Sequence, residues 1–179
     1  MGTLKTVEEV LGASSVIDVL VPGWVDRDDV VPEFRPQPQV IWLRLPDGFL
    51  RLEAVEHAGN LVAHRVTELS WSDIPLLVAA EDEDDIGEVL VASYGEQLFG
   101  DGDGEQGARC VELRAYVRDA DHSLVCLALD FTYQRTVFLD PTWTFGIRIG
   151  NEAGEQRWLE RERDATAISC AVTRFGADL

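Results

Sequence analysis

The sequence predicts an α+β fold: a mainly antiparallel sheet of about seven or eight strands, an N-terminal helix and one or two further helices. Three observations predict it. Apolar residues recur with helical spacing near the N-terminus, several later segments alternate apolar and polar side chains, and turn-forming residues separate those segments. The chain has 179 residues, of which 46% are hydrophobic, and we therefore expect a single domain spanning 1–179.

The N-terminal helix is predicted over residues 4–20. Val7, Val10 and Leu11 share one face of such a helix, and Thr6 with Glu9 forms a capping box. We expect Pro22 and Gly23 to end the helix. Four prolines in residues 22–38 predict an irregular, partly extended connection after it.

The next segments predict strands. Residues 40–45 form an apolar run, and residues 49–57 and 61–69 flank Gly59-Asn60, which indicates a hairpin. A two-residue turn would place Val55 opposite His64.

A second helix is predicted over residues 85–98, with Asp85 as its cap. Residues 88–93 also fit a strand, and that alternative stays open. A Gly/Asp loop is expected over residues 100–108.

The second half of the sequence alternates with period two. Residues 109–118 and 123–131 predict a hairpin whose turn is centred on Ala120-Asp121, and residues 123–131 are apolar on both faces, as a covered central strand is. Further strands are predicted at residues 143–149 and 167–174. The segment 156–161 is expected to follow a turn as another strand.

The chain is strongly acidic. It carries 33 acidic and 15 basic residues, a formal net charge of -18, and its single lysine is Lys5. Such a charge repels nucleic acids and anionic membrane surfaces, so neither is expected as a partner. Two explanations remain: a basic protein partner, or an acidic surface that serves solubility or life at high salt.

The candidate partner-binding residues are an acidic run and one tryptophan. The run comprises Glu81, Asp82, Glu83, Asp84 and Asp85. It fits a docking patch for a basic surface, but it also fits solvation and capping of a helix start. Trp158 is flanked by charged residues, which favours an exposed anchor, although packing over a sheet edge is the alternative.

The stretch LFGDGDGEQGAR, residues 98–109, allows two ligand hypotheses. Its G-x-G-x-x-G pattern resembles a dinucleotide loop, but a strand follows the loop and its acids would repel phosphates. Asp101, Asp103 and Glu105 could instead hold calcium, with Glu112 at the twelfth position of the loop. Against calcium, Arg109 adds a cation. A hydrated acidic loop is the simpler interpretation.

Two histidines support the alternative that the protein is an enzyme. In the predicted hairpin, His57, His64 and Glu53 share one face, a set that could bind a transition metal or act in catalysis. The other interpretation is exposed histidines without such a role. No local signature of a P-loop, zinc protease or serine hydrolase occurs in the sequence.

These observations favour a non-catalytic, acidic protein-binding module that caps a basic protein partner, as an inhibitor, immunity protein or adaptor does. A metal-dependent or small-molecule enzyme using His57 and His64 is the alternative, and a calcium-binding domain at residues 101–112 is a third. No cofactor other than calcium is expected. Three cysteines without a C-x-x-C pair, and no apolar secretory segment near the N-terminus, predict a cytoplasmic protein.

Overall fold

The computed structural model describes residues 2–26, 31–55, 59–70, 89–99, 107–132, 134–162 and 167–176. Three helices lie within these ranges: α1 (Thr3–Ala13), α2 (Gly95–Phe99) and α3 (Glu152–Arg161). The strands there are β1 (Asp18–Asp26), β2 (Glu33–Pro36), β3 (Val40–Leu45), β4 (Gly48–Val55), β5 (Asn60–Val66), β6 (Val89–Ser93), β7 (Cys110–Arg118), β8 (Leu124–Phe131), β9 (Arg135–Trp143), β10 (Gly146–Gly150) and β11 (Ile168–Arg174).

All strand pairs in this part of the chain are antiparallel, which confirms the predicted fold class. One limb of the sheet runs β5-β4-β3-β1, and both β2 and β6 pair with β1. The other limb runs β10-β9-β8-β7-β11. Between the strands of the described residues, one residue pair, Leu61 with Leu124, joins the two limbs, and Val16 forms a further bridge with Ala108 just before β1 and β7.

The main core lies where side chains of both limbs meet. Ile41 and Leu52 of the first limb share one buried cluster with Leu127 and Leu139 of the second, and Val10 of α1 belongs to the same cluster. The limbs are also tied by a hydrogen bond of 2.7 Å from the Ile147 N–H to the Pro38 carbonyl. Burial of these aliphatic side chains is the main stabilising contribution to the fold.

The first helix is shorter than predicted. Val7, Val10 and Leu11 are buried as its apolar face requires, but the helix ends at Ala13 and its N-cap is Gly2 instead of a Thr6 capping box. Residues after it enter β1, because valine and isoleucine favour strands. The predicted connection over 22–38 is extended in part, as expected, but it is not irregular where β1 and β2 run through it.

The segment predicted as a helix over 85–98 contains a strand and a short helix in its described part. Residues of β6 pair with β1 over five positions, which is the open alternative of the sequence interpretation. The five-residue α2 follows, and Asp18 Oδ1 accepts a hydrogen bond of 2.7 Å from the Gly95 N–H at its start.

The β4–β5 hairpin exists, but its predicted register was wrong. Val55 pairs with Asn60 and Arg51 pairs with His64, so the connection is longer than two residues. The observed pairing of β4 with β5 is displaced from the predicted pairing by an even number of positions. Leu52 and Ala63 therefore still share the buried face, as the alternation predicted.

The β7–β8 hairpin also follows the prediction at its turn, where Val117 pairs with Leu124. A register shift next to Tyr116 then exchanges the two faces of β8 relative to β7, so that Cys126 pairs with Tyr116. Cys126 and Ala128 consequently lie away from the main core, in a second buried cluster beneath α3. Strand β8 is covered on both faces, as its continuous apolar sequence predicted.

Two later segments differ from their predictions. Residues 143–149 are a hairpin, with the end of β9, a turn at Thr144-Phe145 and β10, because Gly146 adopts a positive φ of 121° that turns the chain. Residues 156–161 belong to α3, not to a strand. Asn151 caps this helix, and its side chain accepts a hydrogen bond of 3.3 Å from the Gly154 N–H. The predicted last strand is confirmed as β11.

None of the helices within the described ranges has the length and apolar character that crossing a bilayer requires.

Candidate functional site

A cleft of about 680 Å³ lies between α3 and the face of strands β7, β8 and β9. It contains a connected group of charged side chains that is partly shielded from water. Its lining residues are Val111, Arg114, Tyr116, Asp130, Phe131, Thr132, Gln134, Thr136, Glu152, Glu155, Gln156 and Leu159.

The floor of the cleft follows from the alternation of strand side chains. Glu112, Arg114 and Tyr116 are two residues apart on β7 and therefore point to the same face. Asp130 of β8 lies opposite Glu112, and Thr136 of β9 lies opposite Asp130. The pairing thus brings three strands' polar side chains into one row beneath the helix.

Arg114 is the cation at the centre of this row, and all five of its N–H groups are engaged. Its Nε and Nη2 donate to the two oxygens of Glu155 at 2.8 Å each. Nη1 and Nη2 donate to the two oxygens of Asp130, and Nη1 also donates to Glu112 at 3.0 Å. The guanidinium has no donor left for a ligand.

Glu155 comes to this position from α3. The buried residues of the helix are Glu155 and Trp158, three positions apart, so both face the sheet. Glu155 is 2% exposed. It also accepts a hydrogen bond of 2.6 Å from the Tyr116 hydroxyl, so the buried carboxylate is satisfied by a cation and a phenol.

The surrounding groups shift the pKa values in the cleft away from neutrality. Hydrogen bonds from Arg174 and Arg114 lower the pKa of Glu112. Burial raises the pKa of Asp130, but hydrogen bonds from Arg114 and Thr136 outweigh it, and the net shift is downward. Burial, followed by the hydrogen bond to Glu155, raises the pKa of Tyr116. At neutral pH the two carboxyl groups are ionised and the phenol keeps its proton.

Three aromatic rings support the cleft from below. The Trp158 ring lies 4.7 Å from the Tyr116 ring and 6.1 Å from the Phe138 ring, measured between centroids. The side chain of Trp158 is 2% exposed. The prediction of Trp158 as an exposed anchor was therefore wrong: a helix replaces the predicted strand and turns the indole inward onto the sheet.

The other predicted partner contacts, Glu81, Asp82, Glu83, Asp84 and Asp85, lie outside the described residues. So do the calcium candidates Asp101, Asp103 and Glu105. Glu112, the twelfth position of the calcium loop, is described, and its two oxygens bind Arg114 and Arg174. Two cations thus already neutralise this carboxylate, which opposes coordination of calcium by Glu112.

The structure describes two of the three components of the predicted histidine site, and Arg51 lies beside both. His64 is exposed and pairs with Arg51, whose Nη2 donates to Glu53 at 3.1 Å. His57 is outside the described residues. A cation beside two of the three proposed ligands opposes metal binding. Within the described ranges, no group of three or more His, Cys, Asp or Glu residues is arranged to hold a metal ion.

The three thiols lie outside the cleft lining, and none is activated. Burial raises the pKa of Cys110 to about 12. Burial, together with the charge of Asp140, raises the pKa of Cys126 as well. Cys170 is the exposed residue of the three, but partial desolvation of its thiol raises its pKa too. All three are therefore thiols at neutral pH, which is unsuited to nucleophilic attack.

Sequence reasoning missed the Arg114 cluster. A signal for it was present in β7, where Glu112 and Arg114 alternate with apolar residues on a strand whose other face is core. The partner Glu155 was out of reach, because its segment was predicted as a strand and the contact spans 41 positions.

Comparisons with protein-family models, with curated proteins and with solved structures give no match to this chain.

Proposed function

We propose that this protein is a non-catalytic binding module that caps a basic protein partner, as inhibitors, immunity proteins and adaptors do, and that the cleft beside α3 is its docking surface. The observation that carries the proposal is the engagement of Arg114 by the protein's own acids. The cleft keeps a surplus of carboxylate charge while its central cation is unavailable to an anionic ligand.

The charge count of the cluster supports a cationic ligand. Glu112, Asp130 and Glu155 contribute three negative charges, and Arg114 and Arg174 contribute two positive ones. Exposed Glu152 adds a further carboxylate at the rim. Carboxylates bind the planar guanidinium of arginine through paired hydrogen bonds, so arginine side chains are the best-matched ligands.

The titration behaviour of the cleft favours binding over proton transfer. A general acid or base works best with a pKa near the operating pH. The pKa values of Asp130 and Glu112 are lowered and that of Tyr116 is raised. These groups hold fixed charges and hydrogen bonds at neutral pH, which suits electrostatic steering of a partner.

We also propose a reducing compartment such as the cytoplasm as the place of this activity. Cys110 and Cys126 are buried free thiols and Cys170 is an exposed one. An exposed thiol without a disulfide partner is typical of proteins that stay in a reducing environment.

A capture experiment with a matched pair of variants tests the proposal. The purified protein is immobilised, exposed to lysate of its own source at low salt, and washed with rising salt before mass spectrometry. We expect basic proteins that salt releases. Glu152→Lys at the cleft rim should reduce their capture, whereas Glu160→Lys should not, since Glu160 is exposed on the same helix outside the cleft lining. Equal capture by both variants would count against the cleft as the docking surface.

A further inference from the structure

Strand β11 forms an edge of the second limb. It pairs with β7 over seven successive residue pairs without a register shift, from Ile168 with Arg118 to Arg174 with Glu112. Within the described residues, β7 is its strand partner. Among the described strands, none pairs with the outer side of β11, which therefore forms an edge of this part of the sheet.

The hydrogen bonds that flank β11 show which backbone groups point outward. The Asp119 N–H donates to the Ala167 carbonyl at 2.8 Å, and the Phe175 N–H donates to the Val111 carbonyl at 3.0 Å. Hydrogen-bonded and non-bonded pairs alternate in an antiparallel ladder. The odd-numbered residues of β11 therefore bond to β7. The N–H and C=O groups of the even-numbered residues, which include Cys170 and Val172, point to the free edge.

Up to the exposed Arg174 at its end, the described strand lacks the charges, prolines and bulges that natural proteins use to block strand addition. Residues 168–173 contain no charged residue, no proline and no bulge. Cys170 is exposed, and Val172 is 52% exposed. The small, uncharged side chains leave the backbone open to another extended chain.

The charge of the molecule selects the kind of chain that fits this edge. A net charge of -18 repels a second copy of the protein. Local acids flank the strand as well: Glu8 accepts a hydrogen bond from Thr173 at 2.6 Å, and Glu112 accepts one from Arg174 at 2.8 Å. An extended segment that carries lysine or arginine is complementary to the net negative charge of the molecule.

The edge also continues the proposed docking surface. Val172 lies opposite Arg114 and Arg174 lies opposite Glu112, and residues opposite each other on paired strands share a face. A strand added to β11 would thus run beside the floor of the cleft, two strand spacings or roughly 10 Å from β7.

We infer that the free edge of β11 receives an extended segment of the basic partner as an added strand. Backbone hydrogen bonds to Cys170 and Val172 hold this segment, and its basic side chains meet the acids of the cleft. This inference rests on the proposed function, because it names how the same partner docks. It is the β-augmentation mode of peptide recognition.

Amide hydrogen exchange with a defined probe tests the inference. The probe is a peptide of alternating lysine and valine, and its control replaces each lysine with glutamate. We expect the lysine peptide to slow exchange at the Cys170 and Val172 amides by roughly tenfold or more, and to leave Ser169 and Ala171, already bonded to β7, unchanged. Equal slowing by the glutamate peptide would contradict the role of basic charge.

Variants at Val172 test the contribution of the β11 edge to binding separately from that of the rest of the docking surface. Val172→Pro removes an outward N–H without removing a bond to β7, and we expect it to weaken binding of the lysine peptide about tenfold. Val172→Thr keeps the N–H and should bind as the wild type does. Val172→Lys keeps the ladder intact and adds a repelling charge, so it provides a second test if the proline variant fails to fold.

The outcomes distinguish failure of this inference from failure of the proposed function. If the lysine peptide binds and Glu152→Lys weakens it, but the Val172 variants and edge amides do not respond, the edge inference is wrong and the function stands. If the lysine peptide does not bind at all, both are wrong. If the free protein forms a dimer that Val172→Pro abolishes, the edge serves a second copy and the inference is overturned.

Discussion

Arg114 and Glu155 meet through two parallel hydrogen bonds, from Nε to Oε1 and from Nη2 to Oε2, each 2.8 Å long. One residue lies on strand β7 and the other on helix α3, so the pair fastens the helix to the sheet inside the cleft. Bidentate pairs of this kind are strong and directional. The contact that fastens α3 to β7 thus also keeps the cleft's cation away from ligands.

Glu155→Gln should destabilise the fold strongly. The amide keeps the side-chain volume, but it presents an N–H group toward Arg114 and removes the charge that compensates the guanidinium. Removing one partner of a buried ion pair costs about 3 kcal/mol, and we expect the free energy of unfolding in urea to fall by about that amount. The control Glu152→Gln, exposed on the same helix, should change it by less than about 0.5 kcal/mol. Equal effects would contradict the structural role of the pair.

Acid should reduce the stability that Asp130 and Glu112 contribute to the fold. The pKa values of Asp130 and Glu112 are lowered in the folded state, so the unfolded chain binds protons first as the pH falls. Their stabilising contribution is therefore complete above their unfolded pKa values near 4, and it is lost as the pH falls through the folded values.

This pH dependence is measured as the difference between wild type and Asp130→Asn in urea unfolding. Acid also neutralises carboxylates throughout this acidic chain and so reduces the repulsion between them. Both proteins share this general effect, so it is removed when the difference in their free energies of unfolding is taken. We expect the stability advantage of the wild type to shrink on acidification below about pH 4. Parallel curves for the two proteins would show that Asp130 is not held ionised by Arg114.

Gly146→Ala should damage the β9–β10 turn. Gly146 has a φ of 121°, and an added Cβ would approach the Pro38 carbonyl carbon and oxygen to 2.5 Å. We expect a loss of about 2 kcal/mol or more in the free energy of unfolding. Gly176→Ala is the control, because nothing lies within 4 Å of a Cβ added there. A neutral Gly146→Ala would contradict the tight packing of this turn against Pro38.

The thiols should differ in reactivity. Burial raises the pKa of Cys110 to about 12 and shields Cys126 as well, whereas Cys170 is exposed on the edge strand. We expect iodoacetamide to modify Cys170 of the native protein roughly tenfold or more faster than the other two, as mass spectrometry would show. In urea all three should react at similar rates. Equal rates in the native state would contradict the burial of Cys110 and Cys126.

The sequence predicted the parts of the fold that depend on local alternation. Val7, Val10 and Leu11 face the core from a helix, and β8 is covered on both sides, because these patterns directly reflect which side chains avoid water. The slip in the β4–β5 register kept Leu52 and Ala63 on the buried face. The pattern determines the face of a strand more firmly than it determines the pairing partner.

The errors arose where long-range contacts decide the outcome. Helix α3 has a single buried apolar residue, Trp158, and its other buried residue is Glu155, so no apolar stripe indicated a helix. The bulge beside Tyr116 moved Cys126 beneath α3, and such bulges have no reliable local signature. The cleft depends on both features, and its central cluster was therefore not predictable from either segment alone.

Titration calorimetry with an arginine-rich peptide measures whether the cleft beside α3 is a docking surface for a basic partner. We expect salt-sensitive binding to the wild type and to Glu160→Lys, and roughly tenfold weaker binding to Glu152→Lys, as removal of a close charge pair produces. Binding that is the same for all three proteins, or no binding at low salt, would contradict it.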